Sequence, residues 1–171
     1  MVIMVIGLPG SGKSFFASRL AELLHADYIS SDKLRVDMLS KRSYSNQEKE
    51  LIYDEMLKQM EYSIQRQRNV VLDATFYTSR LREKCKEKVN DSVALAVIEV
   101  WASEAAIKNR LSHGREFSEA DFGIYKMIKS QWEPLTERHL TLESTQGNLH
   151  IMLQKAIRYL HLIKNEKRAG Q

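Results

Sequence analysis

The residues best equipped for chemistry lie in one run, Gly7-Leu8-Pro9-Gly10-Ser11-Gly12-Lys13-Ser14, which fits the phosphate-binding pattern G-x-x-x-x-G-K-[ST], the P-loop, at every fixed position. Its glycines let the backbone turn N–H groups inward, where they and the start of a following helix can hold phosphate oxygens. The cradle is expected to comprise Gly7, Pro9, Gly10, Ser11, Gly12, Lys13, Ser14 and Phe15. Lys13 would reach the outer phosphates of a nucleoside triphosphate, and the Ser14 hydroxyl would ligate Mg²⁺. A glycine-rich turn with an incidental lysine is the bland alternative. The context argues against it, because the apolar run Val2–Ile6 precedes the motif and a helical stripe of Phe16, Ala17, Leu20, Leu23 and Leu24 follows.

Two further segments carry carboxylates suited to work beside such a site. Ile29-Ser30-Ser31-Asp32-Lys33-Leu34-Arg35 puts an aspartate just past an expected strand, at the sheet end where open α/β proteins bind ligands. Asp32 and Arg35 are three residues apart and would share a helix face. The carboxylate could take the proton of an attacking hydroxyl, and the guanidinium could hold a phosphate in paired hydrogen bonds. Asp32 could equally cap the helix, a role compatible with the first. Val70-Val71-Leu72-Asp73-Ala74-Thr75 has the form of a strand whose terminal Asp73 sits near Mg²⁺, directly or through water. Its simpler reading is a strand-end turn bonded by Asp73 and Thr75.

Arg110-Leu111-Ser112-His113-Gly114-Arg115 interrupts two helical patterns with a glycine, as a hinged lid would. Phosphoryl transfer develops charge that a supplied arginine stabilises by about 10³–10⁵ in rate, so Arg110 and Arg115 are both candidates. A plain loop with solvated arginines is the alternative, and His113 reads as an exposed loop residue.

The elements that must position these groups alternate between short apolar runs and helical periodicity. Strands are expected at 2–6, 27–30, 69–73, 93–100 and 139–143, and helices near 13–24, 32–40, 46–67, 78–89, 103–111, 118–131 and 148–163. Nearly continuous apolar strands indicate a five-stranded parallel sheet covered by helices on both faces, an α/β fold. Ser45 with Glu48 and Ser118 with Asp121 resemble capping boxes, and Pro134 stops the later helix. Ile52, Met56, Met60, Ser63, Ile64 and Gln67 form the core stripe of the third helix.

Composition narrows the classes. No apolar run approaches the roughly 18 residues of a membrane span, and the strand-like N-terminus has no basic n-region, so neither membrane nor secretion is expected. Cys85 is the single cysteine, which fits a reducing, cytoplasmic setting, and its register with Leu81 and Val89 makes it a core side chain rather than a reactive thiol. The net charge of +4 suits an anionic substrate without identifying one. Residues 1–163 read as one domain and 164–171 as a basic tail, in which Lys164, Lys167 and Arg168 face Glu166 alone.

Taken in order, GLPGSGKS, ISSDKLR, VVLDATF, IKNRLSHGR and QWEPLTERHLTLEST resemble the P-loop kinases related to polynucleotide 5′-hydroxyl kinase and zeta toxin, over about residues 1–145. That resemblance implies a P-loop NTPase fold of the kinase-like type with a small arginine-bearing lid at Arg110 or Arg115, ATP as donor, Asp32 as general base and Arg35 at the acceptor phosphate. Phe76 departs from it, standing where relatives often carry a small polar residue. The phosphatase and ligase domains of the larger members are missing, so the acceptor stays open between a polynucleotide 5′-hydroxyl and a small molecule such as a sugar, nucleotide sugar or antibiotic. Tyr44, Tyr53 and Tyr62 are the scattered candidates for base stacking, with Lys41–Asn46 as an acceptor-facing loop, although packing explains the tyrosines as well. A non-catalytic nucleotide switch is the reading from another class; the absence of Asn-Lys-x-Asp favours ATP over GTP, and oligomeric state is not legible.

Overall fold

The computed structural model describes residues 1–39, 45–112 and 121–170. Its strands are β1 (Val2–Ile6), β2 (Asp27–Ser30), β3 (Val70–Asp73), β4 (Leu95–Trp101) and β5 (Leu140–Glu143). The helices are α1 (Lys13–Leu24), α2 (Ser31–Met38), α3 (Asn46–Gln65), α4 (Ser79–Glu87), α5 (Glu104–Leu111), α6 (Phe122–Ser130) and α7 (Leu149–Ala169). All strand pairs are parallel, in the order β2-β3-β1-β4-β5.

The order follows from what each strand can bury. Every residue of β1 is fully inaccessible, as an all-apolar strand flanked on both edges and both faces must be. Alternation then sorts the core in two. Val2, Met4 and Ile6 join Leu72, Ile52, Met56 and Met60 under α3 and α4, while Ile3 and Val5 join Val71, Ile98, Phe16 and Leu20 under α1 and α7. Edge strand β5 keeps Thr141 and Glu143 exposed and buries Leu142. The registers Val5↔Asp73 and Ser30↔Asp73 bring the carboxyl ends of β1, β2 and β3 level, so that everything after them converges on one rim of the sheet.

Several ends differ from expectation for local reasons. β4 begins at Leu95 because Asn90 captures the preceding residues in a turn, its Oδ1 accepting from Ser92 N–H at 3.1 Å while Val93 N–H donates to the Asn90 carbonyl at 3.0 Å. α7 continues to Ala169 rather than stopping at 163, so residues 164–169 are helix and not a loose tail. Ile163 extends its apolar stripe, Arg138 pairs with Glu166 at 2.6 Å, and Lys167 and Arg168 complement the negative end of the helix dipole. The expected cap at Ser118 lies outside the described residues; Asp121 caps α6 instead, accepting from Ile124 N–H at 2.8 Å. Cys85 is fully buried against Met60, and burial pushes its thiol up to about 12. Among the described residues no helix is long and apolar enough to cross a membrane.

Candidate active site

The phosphate cradle is made by backbone. α1 starts at Lys13 with Gly12 as its cap, and Gly12 offers no side-chain acceptor. The first helical bond runs from Phe16 N–H to the Gly12 carbonyl at 3.1 Å, so the N–H groups of Lys13, Ser14 and Phe15 come before any intrahelical partner. Gly12 has φ 93°, and a Cβ there would meet Ser144 Oγ at 2.5 Å, so only glycine lets the loop pass beneath the β5–α7 connection. Lys13 is 7% exposed and has no acidic partner among the described residues. A buried, uncompensated ammonium at a helix N-terminus is prepared for an anion. The Phe15 ring, by contrast, is 60% exposed beside the Arg19 guanidinium, which leaves its backbone N–H as its contribution.

Asp32 and Arg35 share a face of α2, as their spacing predicts, with Arg35 Nη1 3.4 Å from Asp32 Oδ1. Ser30, not Asp32, occupies the cap position, so Asp32 is not the cap of this helix. Arg35, expected to hold a phosphate, lines the cavity between α2, α3 and α6 and is already engaged inside the protein. Its side chain is only 9% exposed and its Nε donates to Glu48 Oε1 at 2.8 Å, so a buried carboxylate from α3 already balances its charge. Glu48 is the partner of Arg35 that sequence reasoning missed. Ser45 does cap α3 by accepting from Glu48 N–H at 3.2 Å, but the Glu48 carboxylate turns to Arg35 instead of closing the capping box.

Asp73 ends β3 buried, with Tyr28 donating to its Oδ2 at 2.7 Å and its Oδ1 left buried without a hydrogen-bond partner among the described residues. Burial, and then the adjacent carboxylate, push the Tyr28 hydroxyl well above its ordinary value, so it acts as a donor. One carboxylate oxygen is thereby occupied and the other held open. After β3 the chain makes a strained turn at Phe76, with φ 47° and a fully buried ring. Tyr53 Oη accepts from Phe76 N–H at 3.1 Å, and the buried Arg82 donates to the Phe76 carbonyl at 3.0 Å and to that of Pro134 at 3.1 Å. Phe76 is thus a packing anchor, which explains its departure from a small polar residue. Tyr53 packs edge-on against it, whereas Tyr62 is exposed.

Arg110 faces the loop from the other side. Its Nη1 donates to the Ser11 carbonyl at 3.0 Å and its Nη2 to the Ser144 carbonyl at 2.9 Å, so here it ties the loop to the β5–α7 connection. Arg115, His113 and Gly114, together with Tyr44 and Lys41–Ser43, lie outside the described residues. A cavity of about 160 Å³ opens between α2, α3 and α6, lined on its polar side by Lys13, Asp32, Arg35, Lys49 and Thr75 and on its apolar side by Ile124, Met127 and Ile128. Asp32 and Lys13, drawn from different strands' ends, share this one space.

A parallel five-stranded sheet with a glycine-rich loop and buried lysine after β1 defines a P-loop NTPase, and its strand order and helix packing are kinase-like. Residues 2–135 match the AAA_33 family, described as an AAA domain, and the chain belongs to it. No curated protein matches the sequence. Among solved structures, a gluconokinase from Sinorhizobium meliloti 1021 superposes with TM-score 0.76 at 18% identity, covering 99% of this chain and 97% of its own. A sugar kinase from Janibacter sp. HTCC2649 gives 0.73 at 14%, covering 94% of both chains. The Mycobacterium tuberculosis APS kinase CysC in complex with AMPPNP and APS gives 0.64 at 16%, covering 94% of this chain and 96% of its own. At such identities the likeness is one of fold.

Proposed function

We propose that the protein is an ATP-dependent phosphotransferase that moves the γ-phosphoryl group to an acceptor hydroxyl. The observation carrying this reading is the shared cavity, which the Asp32 side chain and the P-loop lysine both line. A nucleotide-binding switch has no need of a base at that place. Loop amides and Lys13 hold the triphosphate, Asp32 orients the hydroxyl and takes its proton, and Arg110 keeps the loop in shape. Arg115 remains the candidate for a lid arginine. Little covalent chemistry falls to the protein, since positioning and charge stabilisation supply most of the rate.

The residues fit Mg²⁺ as a partner of ATP. Asp73 Oδ1 is an acceptor without a donor among the described residues, and Ser14 at the head of α1 supplies a hydroxyl. Among the described residues no group of three or more acidic, His or Cys side chains could form a cage, which suits an ion that keeps its waters and leans on phosphates. When bound, Mg²⁺ would neutralise charge on the transferring phosphate oxygens.

Between a polynucleotide 5′-hydroxyl and a compact small molecule, the fold likeness to gluconokinase and APS kinase supports the second. The test is transfer of radiolabelled γ-phosphate from ATP–Mg²⁺ to 5′-hydroxyl oligonucleotides, nucleosides, sugars, sugar acids and aminoglycosides. Label on a small hydroxylated acceptor is the expected result. Label confined to oligonucleotide ends replaces the acceptor, and hydrolysis without transfer to any of them overturns the kinase reading.

A further inference from the structure

Resting on the kinase reading of this cavity, we infer that the acceptor carries a negatively charged group, and that Lys49 reads it. The inference comes from matching the cations of the cavity to their partners. Lys13 belongs to the phosphate loop. Arg35, the guanidinium expected to face the acceptor, is held by Glu48 at 2.8 Å and by Asp32 at 3.4 Å, so its charge is balanced inside the protein. Lys49 projects from the next position of α3 into the same cavity, is only partly exposed, and forms no ion pair among the described residues. Its Nζ instead lies 5.7 Å from the centroid of the Tyr77 ring, which also lines the cavity. A cation–π contact steadies an ammonium without neutralising it, so the positive charge stays available to a ligand.

An anionic group on the acceptor gains a charge-assisted hydrogen bond in a space where water is partly excluded. A neutral polyol of the same shape gains nothing there, so discrimination falls on charge. The alternation of Glu48 and Lys49 explains the division of labour. Consecutive helix positions diverge by about 100°, so one carboxylate turns inward to lock Arg35 while the next residue reaches the rim.

The measurement is calorimetric titration of the full chain, preloaded with AMPPNP and Mg²⁺, with D-gluconate, with its uncharged counterpart D-sorbitol and with inorganic phosphate. Saturable binding of an anion, at least tenfold tighter for gluconate than for sorbitol, is the expected result. Lys49→Met should erase that preference and Lys49→Arg should retain it. Lys58→Met, on the exposed side of the same helix, should leave it intact, and matched melting temperatures exclude misfolding. Equal binding of gluconate and sorbitol, no saturable binding of either anion, or unchanged anion binding in Lys49→Met overturns the assignment. The kinase reading fails separately: anion binding at Lys49 with no phosphoryl transfer to any acceptor leaves this site standing and removes that activity.

Discussion

The two halves of the site are built from different material. On the β1–α1 side, the contiguous stretch from Gly7 to Phe15 supplies the phosphate cradle, mostly through backbone N–H groups and the N-terminus of α1. On the acceptor side, α2, α3, α6 and the segment after β3 each contribute side chains. A backbone cradle is written in local sequence, since glycine spacing dictates where N–H groups can point. A side-chain cavity depends on which distant helices the sheet order brings together. The nucleotide half is therefore expected to be shared across P-loop proteins, and the acceptor half to be particular to this chain.

Glu48→Ala should disturb the acceptor half most. It removes the 2.8 Å partner of the Arg35 guanidinium in a site where both side chains are under one-tenth exposed, and with the 3.4 Å contact to Asp32 retained it should destabilise the fold by about 2–3 kcal/mol. The drop would appear as a lowered melting temperature, and replacing both partners with apolar residues should recover most of it. Loss of stability below about 1 kcal/mol would mean that the pair is not the buried anchor of the acceptor half.

Gly12→Ala attacks the other half. The left-handed backbone costs about 1–2 kcal/mol for a residue with a Cβ, and the collision with Ser144 Oγ adds to it. Nucleotide affinity should fall about tenfold or more, measured by titration with a fluorescent ATP analogue, and Ser144→Gly should return part of it. Wild-type affinity in Gly12→Ala would show that the cradle tolerates a different shape.

Tyr28→Phe sharpens the comparison more gently, since it removes the hydroxyl that occupies Asp73 Oδ2. Hydrogen bonds to charged groups contribute about 1.5–3 kcal/mol when buried, and partial exposure reduces that here. The expected outcome is a several-fold higher Mn²⁺ concentration needed to support AMPPNP binding, with metal-free nucleotide binding unchanged. Cys85, remote from both halves, gives the smallest effect. Its thiol is held protonated by burial, with the folded value pushed up to about 12 against an unfolded value near 9. The native state keeps its proton longer, so stability is fully present below pH ~9 and declines towards pH ~12. Cys85→Ala should flatten that alkaline slope, and the native thiol should resist alkylation at neutral pH.

The same division explains what could be read from sequence. All five strands and the P-loop were legible, because continuous apolar runs and fixed glycine spacing are local signals. The Asp32–Arg35 contact was legible because helix geometry fixes a three-residue spacing. Glu48 was not: its partner lies thirteen positions away on another helix, and its own neighbourhood advertised a capping box. The hold of Arg110 on the Ser11 and Ser144 carbonyls was not legible either, because it depends on β4, and β5 beyond it, lying on one side of β1, which no spacing reveals. The length of α7 was underestimated because its last turn is stabilised by Arg138, far upstream, rather than by a stop signal of its own.

The central claim is that binding of ATP and the chemistry of the acceptor reside in separable halves, with Asp32 as the base of the second. Asp32→Asn tests it most directly, with ATP affinity and phosphoryl transfer measured on the same preparation. General-base contributions run to about 10²–10⁴-fold, so transfer should fall by that much while ATP affinity changes by less than about tenfold, ~1.4 kcal/mol. Transfer at the wild-type rate in Asp32→Asn would contradict the account.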